Sequence, residues 1–208
     1  MADHDDEPSV SPPEALSSDL QAKLAAGLKA HGAGDLQQAE SAYREVLQAA
    51  PGNPDALHFL GVIASQVDEL QMALDLYQQA LEKAPENAEI YSNLSVVLRK
   101  LDEPAAAEKA ARIALRLNPQ SAENFNNLGC ALVDQGDFEQ ARPMFDSALR
   151  MQPDYAVAVR NRGECERELG MYTTALASFE FALELDPDDL QVLDLIDQTR
   201  AQQAQVKH

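Results

Sequence analysis

The chain has 208 residues, of which 25% are charged and 5% aromatic. Its 35 acidic and 16 basic residues give a formal net charge of −19, which would repel nucleic-acid phosphates and anionic membranes, so we expect neither as a partner. Two cysteines are too few for a disulfide scaffold, the acidic N-terminus does not resemble a signal peptide, and no segment is apolar enough to span a membrane. We therefore expect a cytoplasmic protein.

Residues 1–19 have the composition of a disordered acidic tail. They include six acidic residues, no lysine or arginine, and three prolines. Such a segment buries too little apolar surface to offset the entropy lost on ordering. We expect the first helix to be capped by Ser17, Ser18 or Asp19.

Four series of residues recur every 34 positions after the tail. The series are Pro51, Pro85, Pro119, Pro153 and Pro187; Ala39, Ala73, Ala107, Ala141 and Ala175; Tyr43, Tyr77, Ala111, Phe145 and Phe179; and Gly27, Gly61, Ser95, Gly129 and Gly163. A shared register of this kind indicates five repeated units. Their bounds are 20–53, 54–87, 88–121, 122–155 and 156–189.

The units resemble the tetratricopeptide-repeat (TPR) family, as in the stretch NFNNLGCALVDQGDFEQARPMFDSALRMQP of the fourth unit. The resemblance implies an all-α, right-handed superhelical solenoid of five helix-turn-helix repeats. Residues 190–208 continue the helical pattern with polar residues on one face, so we expect a C-terminal capping helix. The alternative for this segment is the start of a further unit.

Several positions have predicted structural roles. We expect the glycine at position 8 of a unit to pack against the alanine at position 20. Gly34, Gly136 and Gly170 suit the turn within a hairpin, Asp137 suits a helix cap, and Pro104 suits the first position of a helix. Arg162 and Glu166 are four residues apart, and we expect a half-exposed ion pair at the end of the solenoid.

The family resemblance implies that the first helices of the units line a concave groove that binds a protein or peptide. Position 6 is asparagine in three successive units, at Asn93, Asn127 and Asn161. This run resembles the TPR region of O-linked N-acetylglucosamine transferases, in which an asparagine ladder holds a peptide backbone. An asparagine amide offers both a donor and an acceptor, which are the two groups that a peptide unit presents.

Other groove positions complete the predicted site. They are Asn126, Arg99, Lys100, Arg160, Arg167, Phe59 and His58. The four cations among them predict a ligand with acidic as well as neutral segments.

We expect no enzyme, metal site or cofactor on this chain. The histidines are scattered, and neither Cys130 nor Cys165 has a histidine in register to activate it. The prediction is a non-catalytic scaffold or adaptor that binds an extended peptide or a partner helix. Alternatives are a substrate-docking region that belongs to or serves a glycosyltransferase- or sulfotransferase-type enzyme, and self-association.

Overall fold

A computed structural model describes residues 16–206, so most of the predicted N-terminal tail lies outside the described residues. Within this range the chain forms eleven α-helices and no strand, which confirms the all-α prediction. The helices are α1 Ser18–Gly32, α2 Leu36–Ala49, α3 Pro54–Gln66, α4 Leu70–Lys83, α5 Ala88–Lys100, α6 Pro104–Leu117, α7 Ala122–Val133, α8 Phe138–Met151, α9 Ala156–Glu168, α10 Tyr172–Leu185 and α11 Leu190–Val206.

The chain divides into two compact units after Pro51. In the first unit, α1 packs against α2. In the second unit, α3 pairs with α4, α5 with α6, α7 with α8, and α9 with α10, while α11 packs against α10. Each pair is a helical hairpin in the 34-residue register that the sequence indicates.

Side-chain caps define the starts of seven of the described helices by accepting hydrogen bonds from otherwise unpaired backbone N–H groups. The capping residues are Ser17, Asp35, Asn53, Asn87, Ser121, Asp137 and Asp189. The Asp137 cap is confirmed, with its Oδ1 3.1 Å from the Gln140 amide nitrogen. Pro104 is the first residue of α6, as predicted, where its missing N–H costs no helical hydrogen bond.

The turn within each hairpin contains one residue with left-handed backbone angles. Gly34, Gly136 and Gly170 have φ values of 81°, 76° and 71°, which confirms their predicted turn positions. Asp68 and Asp102 take the same conformation in the other two hairpins, with φ values of 63° and 61°. Aspartate is among the few non-glycine residues that tolerate this region.

Replacing Gly136 by alanine should lower the free energy of unfolding by about 1 kcal/mol, because the added Cβ disfavours the positive φ. The space around it is open, so the effect is conformational and not steric. The matched control is Gly32→Ala, which also meets open space but lies within α1. That change should raise stability by about 0.5–1 kcal/mol. Urea titrations that give both substitutions the same sign would contradict this account.

Four hairpins share a contact between a glycine on the first helix and an aromatic ring on the second. The pairs are Gly27 with Tyr43, Gly61 with Tyr77, Gly129 with Phe145, and Gly163 with Phe179. A Cβ on any of these glycines would lie only 2.5–2.6 Å from a ring carbon. The aromatic residue at position 24 is therefore what leaves no room for a side chain at position 8, while the packing of this glycine against the alanine at position 20 stays a prediction.

The middle hairpin solves the same packing problem with different residues. Ser95 stands in place of glycine and Ala111 in place of the aromatic residue, and both are completely buried. Ser95 Oγ donates a 2.6 Å hydrogen bond to the carbonyl oxygen of Ser92. A larger residue on the first helix thus accompanies a smaller one on the second.

Glu166 is buried, not half-exposed as the sequence suggests. Only 3% of its surface is exposed, and Ser178 Oγ donates a 2.7 Å hydrogen bond to its Oε2. Its Oε1 lies 3.4 Å from Nε of Arg142 and 3.9 Å from Nε of Arg162. The Arg162 pair exists, but Arg142 on α8 and Ser178 on α10 also join this carboxylate, which links three helices.

Candidate binding face on the first helices

The first helices of successive hairpins lie side by side in the second compact unit. Contacts join α3 to α5, α5 to α7, α7 to α9, and α9 to α11. We use the name first-helix face for the side of these helices that carries positions 2, 5, 6, 9, 12 and 13 of each 34-residue unit. The site residues predicted from the sequence belong to these positions.

The three predicted asparagines form cross-helix hydrogen bonds that we call the amide row. Asn93 Nδ2 lies 2.9 Å from His58 Nε2, and Asn127 Nδ2 donates a 3.0 Å bond to Ser92 Oγ. Asn161 Nδ2 donates to Asn126 Oδ1 at 2.9 Å. Each bond therefore joins position 6 of one unit to position 5 of the preceding unit. The amide row links neighbouring repeats.

Sequence reasoning overlooked these partners, although a signal was present. The residues at position 5 before the three asparagines are His58, Ser92 and Asn126, and each has a side-chain acceptor. The 34-residue period aligns equal positions of successive units. The hydrogen bonds join positions that differ by one, at a separation of 35 residues.

The amide oxygens of the row remain available. No described residue donates a hydrogen bond to Oδ1 of Asn93, Asn127 or Asn161. None of these oxygens is sealed from solvent. Because each Nδ2 is already engaged, the row presents acceptors to a ligand.

An amide nitrogen only donates, so the contact of Asn93 Nδ2 with His58 Nε2 favours an unprotonated Nε2 and a neutral ring. The ring is 2% exposed, and its centroid lies 5.1 Å from that of Phe59 and 5.9 Å from that of Tyr77. Burial lowers the pKa of His58, and the nearby carboxylates of Glu89 and Asp55 oppose this effect. The contacts therefore favour the neutral acceptor.

Acidification should destabilise the fold through His58. The pKa of His58 is lower in the folded chain than its ordinary value of about 6.5, so the unfolded chain binds the proton more readily. The contribution of neutral His58 to the free energy of unfolding is complete above pH 6.5, and it is lost as the pH falls from 6.5 through the pKa of the folded chain. Unfolding free energies of the wild type and of His58→Gln, measured from pH 7.5 to 5, should converge on acidification. Parallel curves would refute this assignment.

The four predicted cations all have acidic partners within the chain. Arg99 forms a two-pronged salt bridge with Asp134, and Lys100 lies 3.9 Å from Asp68. Arg160 Nη1 lies 3.1 Å from Asp189 Oδ2. Arg167 Nη2 lies 3.1 Å from Glu168 Oε1, and its Nη1 donates to Gln198. Each of these cations thus has an acidic partner in its own chain, but the Lys100 pair is long and exposed, and Arg167 Nε is buried without a hydrogen-bond partner.

Both cysteines are buried free thiols. Burial raises the pKa of the Cys130 thiol and that of the Cys165 thiol to about 11. Cys130 Sγ accepts a hydrogen bond from Asn161 Nδ2 at 3.2 Å, and Cys165 Sγ donates to the Phe138 carbonyl oxygen at the same distance. Both groups are therefore protonated at neutral pH.

Residues 16–206 contain no group of three or more histidine, cysteine, aspartate or glutamate side chains arranged to hold a metal ion. None of the described helices is both long and apolar enough to cross a membrane.

Paired antiparallel helices in a constant register, with first helices joined side by side, define an all-α helical-repeat protein. Proteins of this class offer extended surfaces for binding. The sequence profile of the tetratricopeptide repeat matches residues 24–71, 60–122 and 126–189. The chain belongs to the tetratricopeptide-repeat family, whose members are protein-interaction modules.

Solved structures of other repeat proteins share the fold. MamA is 24% identical, with 85% of this chain and 96% of MamA aligned and a TM-score of 0.68. The thermophilic TPR protein TTC0263 of Thermus thermophilus is 21% identical, with 88% of this chain and 99% of that protein aligned and a TM-score of 0.71. YrrB, described as a TPR protein with an unusual peptide-binding site, is 22% identical over 83% of this chain and 89% of its own, with a TM-score of 0.67. No curated protein sequence matches the chain.

Proposed function

We propose that the chain is a non-catalytic interaction scaffold whose first-helix face binds an extended peptide segment of a partner protein. The state of the amide row supports this most directly. The Nδ2 groups of Asn93, Asn127 and Asn161 are held by the preceding helix, while their Oδ1 atoms have no donor among the described residues. The acceptors are therefore oriented before a ligand arrives, which reduces the ordering cost of binding.

The spacing of the row suits an extended chain. Packed helices lie about 8–10 Å apart, and an extended peptide advances about 3.3 Å per residue. Successive asparagines would therefore accept hydrogen bonds from about every third backbone N–H of the ligand. Such contacts hold the backbone and leave most ligand side chains free to vary.

We further propose that residues 20–189 form five repeats and that α11 caps the last one. In the 34-residue register, Asp197 of α11 stands where the five units have glycine or serine. Asp197 is exposed and lies 4.0 Å from Arg200. A charged side chain at this position opposes the close approach of an aromatic ring, so α11 departs from the hairpin pattern.

A non-catalytic role and a cytoplasmic location are parts of the same proposal. The thiols of Cys130 and Cys165 are unpaired, buried and protonated, which makes them poor nucleophiles. Unpaired buried thiols also suit a reducing compartment.

The proposal predicts different behaviour for two variants that break the same hydrogen bond. Displayed random peptides of about twelve residues would first be selected on the immobilised wild-type chain. Asn127→Ala removes both the bond to Ser92 and the free Oδ1, whereas Ser92→Ala removes the bond and retains Asn127. We expect the selected peptides to bind Asn127→Ala about tenfold more weakly, on the scale of one lost backbone hydrogen bond. Ser92→Ala should weaken binding less, because it keeps the Oδ1 acceptor and loses only the bond that orients it.

Fluorescence anisotropy would measure these affinities, and circular dichroism would establish that both variants are folded. Failure to select any peptide would refute peptide binding. Equal affinities for Asn127→Ala and wild type would refute the role of the amide row.

A further inference from the structure

We infer that the peptide bound by the first-helix face is basic, with lysine or arginine side chains directed to Asp55, Glu89 and Glu123. The inference rests on the proposed function and adds the charge of the partner. The charge is opposite in sign to that of the acidic segments which the sequence predicts for the ligand.

The first observation is the internal pairing of the cations on this face. Arg99, Arg160 and Arg167 have carboxylate partners at 3.1 Å or less, and Lys100 has one at 3.9 Å. An acidic ligand would have to displace these carboxylates from partners that are already oriented. The cations therefore offer little net attraction to such a ligand.

The second observation is a set of carboxylates without such partners. Asp55, Glu89 and Glu123 occupy position 2 of three successive units and are exposed. None forms an ion pair with another described residue, whereas the carboxylates that neutralise the cations do. The unbalanced charge on this part of the face is therefore negative.

The third observation places two of these carboxylates beside the amide row. Glu89 lies four residues before Asn93 and Glu123 four residues before Asn127, so each shares a helix face with an asparagine of the row, whereas Asp55 lies four residues before Phe59. Asn127 is only 6% exposed, and no described residue donates a hydrogen bond to its Oδ1. This oxygen is not sealed from solvent, so a backbone N–H of a ligand at the row would replace water on an acceptor that is already oriented.

The distances match the length of a cationic side chain. One helical turn, about 5.4 Å, separates the carboxylate level from the amide level. A lysine or arginine side chain of a peptide bound at the amide row is long enough to cross that turn. Because successive helices are about three ligand residues apart, about every third residue of the ligand would be basic. A basic segment of this spacing satisfies both sets of acceptors at once.

The carboxylates also lie in the first turns of α3, α5 and α7, where they interact favourably with the helix dipoles. If that were their only effect, neutralising them would change helix stability and leave ligand charge preference unaltered. The two roles therefore give different binding results.

The test combines a peptide selection with charge variants of the full chain. Twelve-residue peptides selected on the wild type would be sequenced, and each would be resynthesised with glutamine in place of every lysine and arginine. The binding variant is Asp55→Asn/Glu89→Gln/Glu123→Gln. The control variant, Glu82→Gln/Glu139→Gln/Glu184→Gln, removes three exposed carboxylates from the second helices and changes the net charge equally.

We expect enrichment of lysine and arginine in the selected peptides, and about 5–10-fold weaker binding to the binding variant, from three exposed ion pairs. Binding to the control variant should be nearly unchanged. The glutamine peptides should lose affinity for the wild type and should not distinguish it from the binding variant. Raising the salt concentration should weaken the wild-type complex more than the complex with the binding variant.

Peptides that bind without enrichment in basic residues, or with equal affinity for the binding and control variants, would overturn the inference and leave the proposed function intact. Failure to recover any peptide would instead refute the proposed function.

Discussion

Replacing Phe145 by alanine is expected to lower the free energy of unfolding by about 3–5 kcal/mol. The ring is completely buried and belongs to a core cluster with Leu128, Ala111 and Cys165. It also covers Gly129, whose position leaves no room for a side chain. Truncation removes apolar contacts and leaves a cavity that the surrounding helices can only partly fill. Urea denaturation followed by circular dichroism would measure the loss.

A second substitution tests whether the glycine and the ring form one packing unit. Gly129→Ala alone should cost about 1–3 kcal/mol, because its Cβ would lie 2.6 Å from the Phe145 ring. Combined with Phe145→Ala, the same Cβ enters space that the ring has vacated, so the double variant should lose less than the sum of the single losses. The Ser95 and Ala111 pair of the middle hairpin is a natural example of this combination. Strict additivity would contradict the coupling.

Replacing the three asparagines of the amide row by alanine is expected to cost about 1–3 kcal/mol at each position. Each change removes a cross-helix hydrogen bond and leaves a buried partner on the preceding helix without it. Ser92 and Asn126 are 4% and 5% exposed, so water replaces the lost bonds poorly. Thermal and urea unfolding of the triple variant would show the combined loss. A variant as stable as the wild type would refute the linking role of the row.

The Ser92 and Asn127 pair provides the control for that prediction. Removing both partners of a buried hydrogen bond costs less than leaving one of them unpaired. The double variant Ser92→Ala/Asn127→Ala should therefore be more stable than the two single losses predict. A coupling energy near zero would mean that the 3.0 Å contact contributes little to stability.

The sequence was sufficient to predict the local structure. Pro104 and Asp137 mark helix starts, and Gly136 marks a turn, because these residues act on their own backbone. A strict 34-residue spacing then identified the family. The helix-start and turn signals depend on neighbours within a few positions of the chain, and the spacing of 34 depends only on their repetition.

Interactions between repeats were less accessible from the sequence. The burial of Glu166 depends on Arg142 and Ser178, which lie on two other helices. The neutralisation of Arg99 likewise depends on Asp134, 35 positions away. Helical periodicity gives the face on which a residue lies, but it does not give the offset between adjacent helices. That offset decides which side chains meet, and therefore which charges on the candidate site remain available.

The 35-residue offset makes the contacts on the first-helix face similar from one pair of units to the next. Excision of residues 122–155 would bring Asn161 opposite Ser92, the same combination that Asn127 now makes. It would also place Glu168 opposite Arg99, where another carboxylate stands now. The first-helix face would thus keep its contacts, but the second helices would not: Glu108 would take the place of Arg142 beside the buried carboxylate of Glu166. Gain or loss of a repeat therefore has to preserve the pairing of second helix to next first helix as well as the binding face.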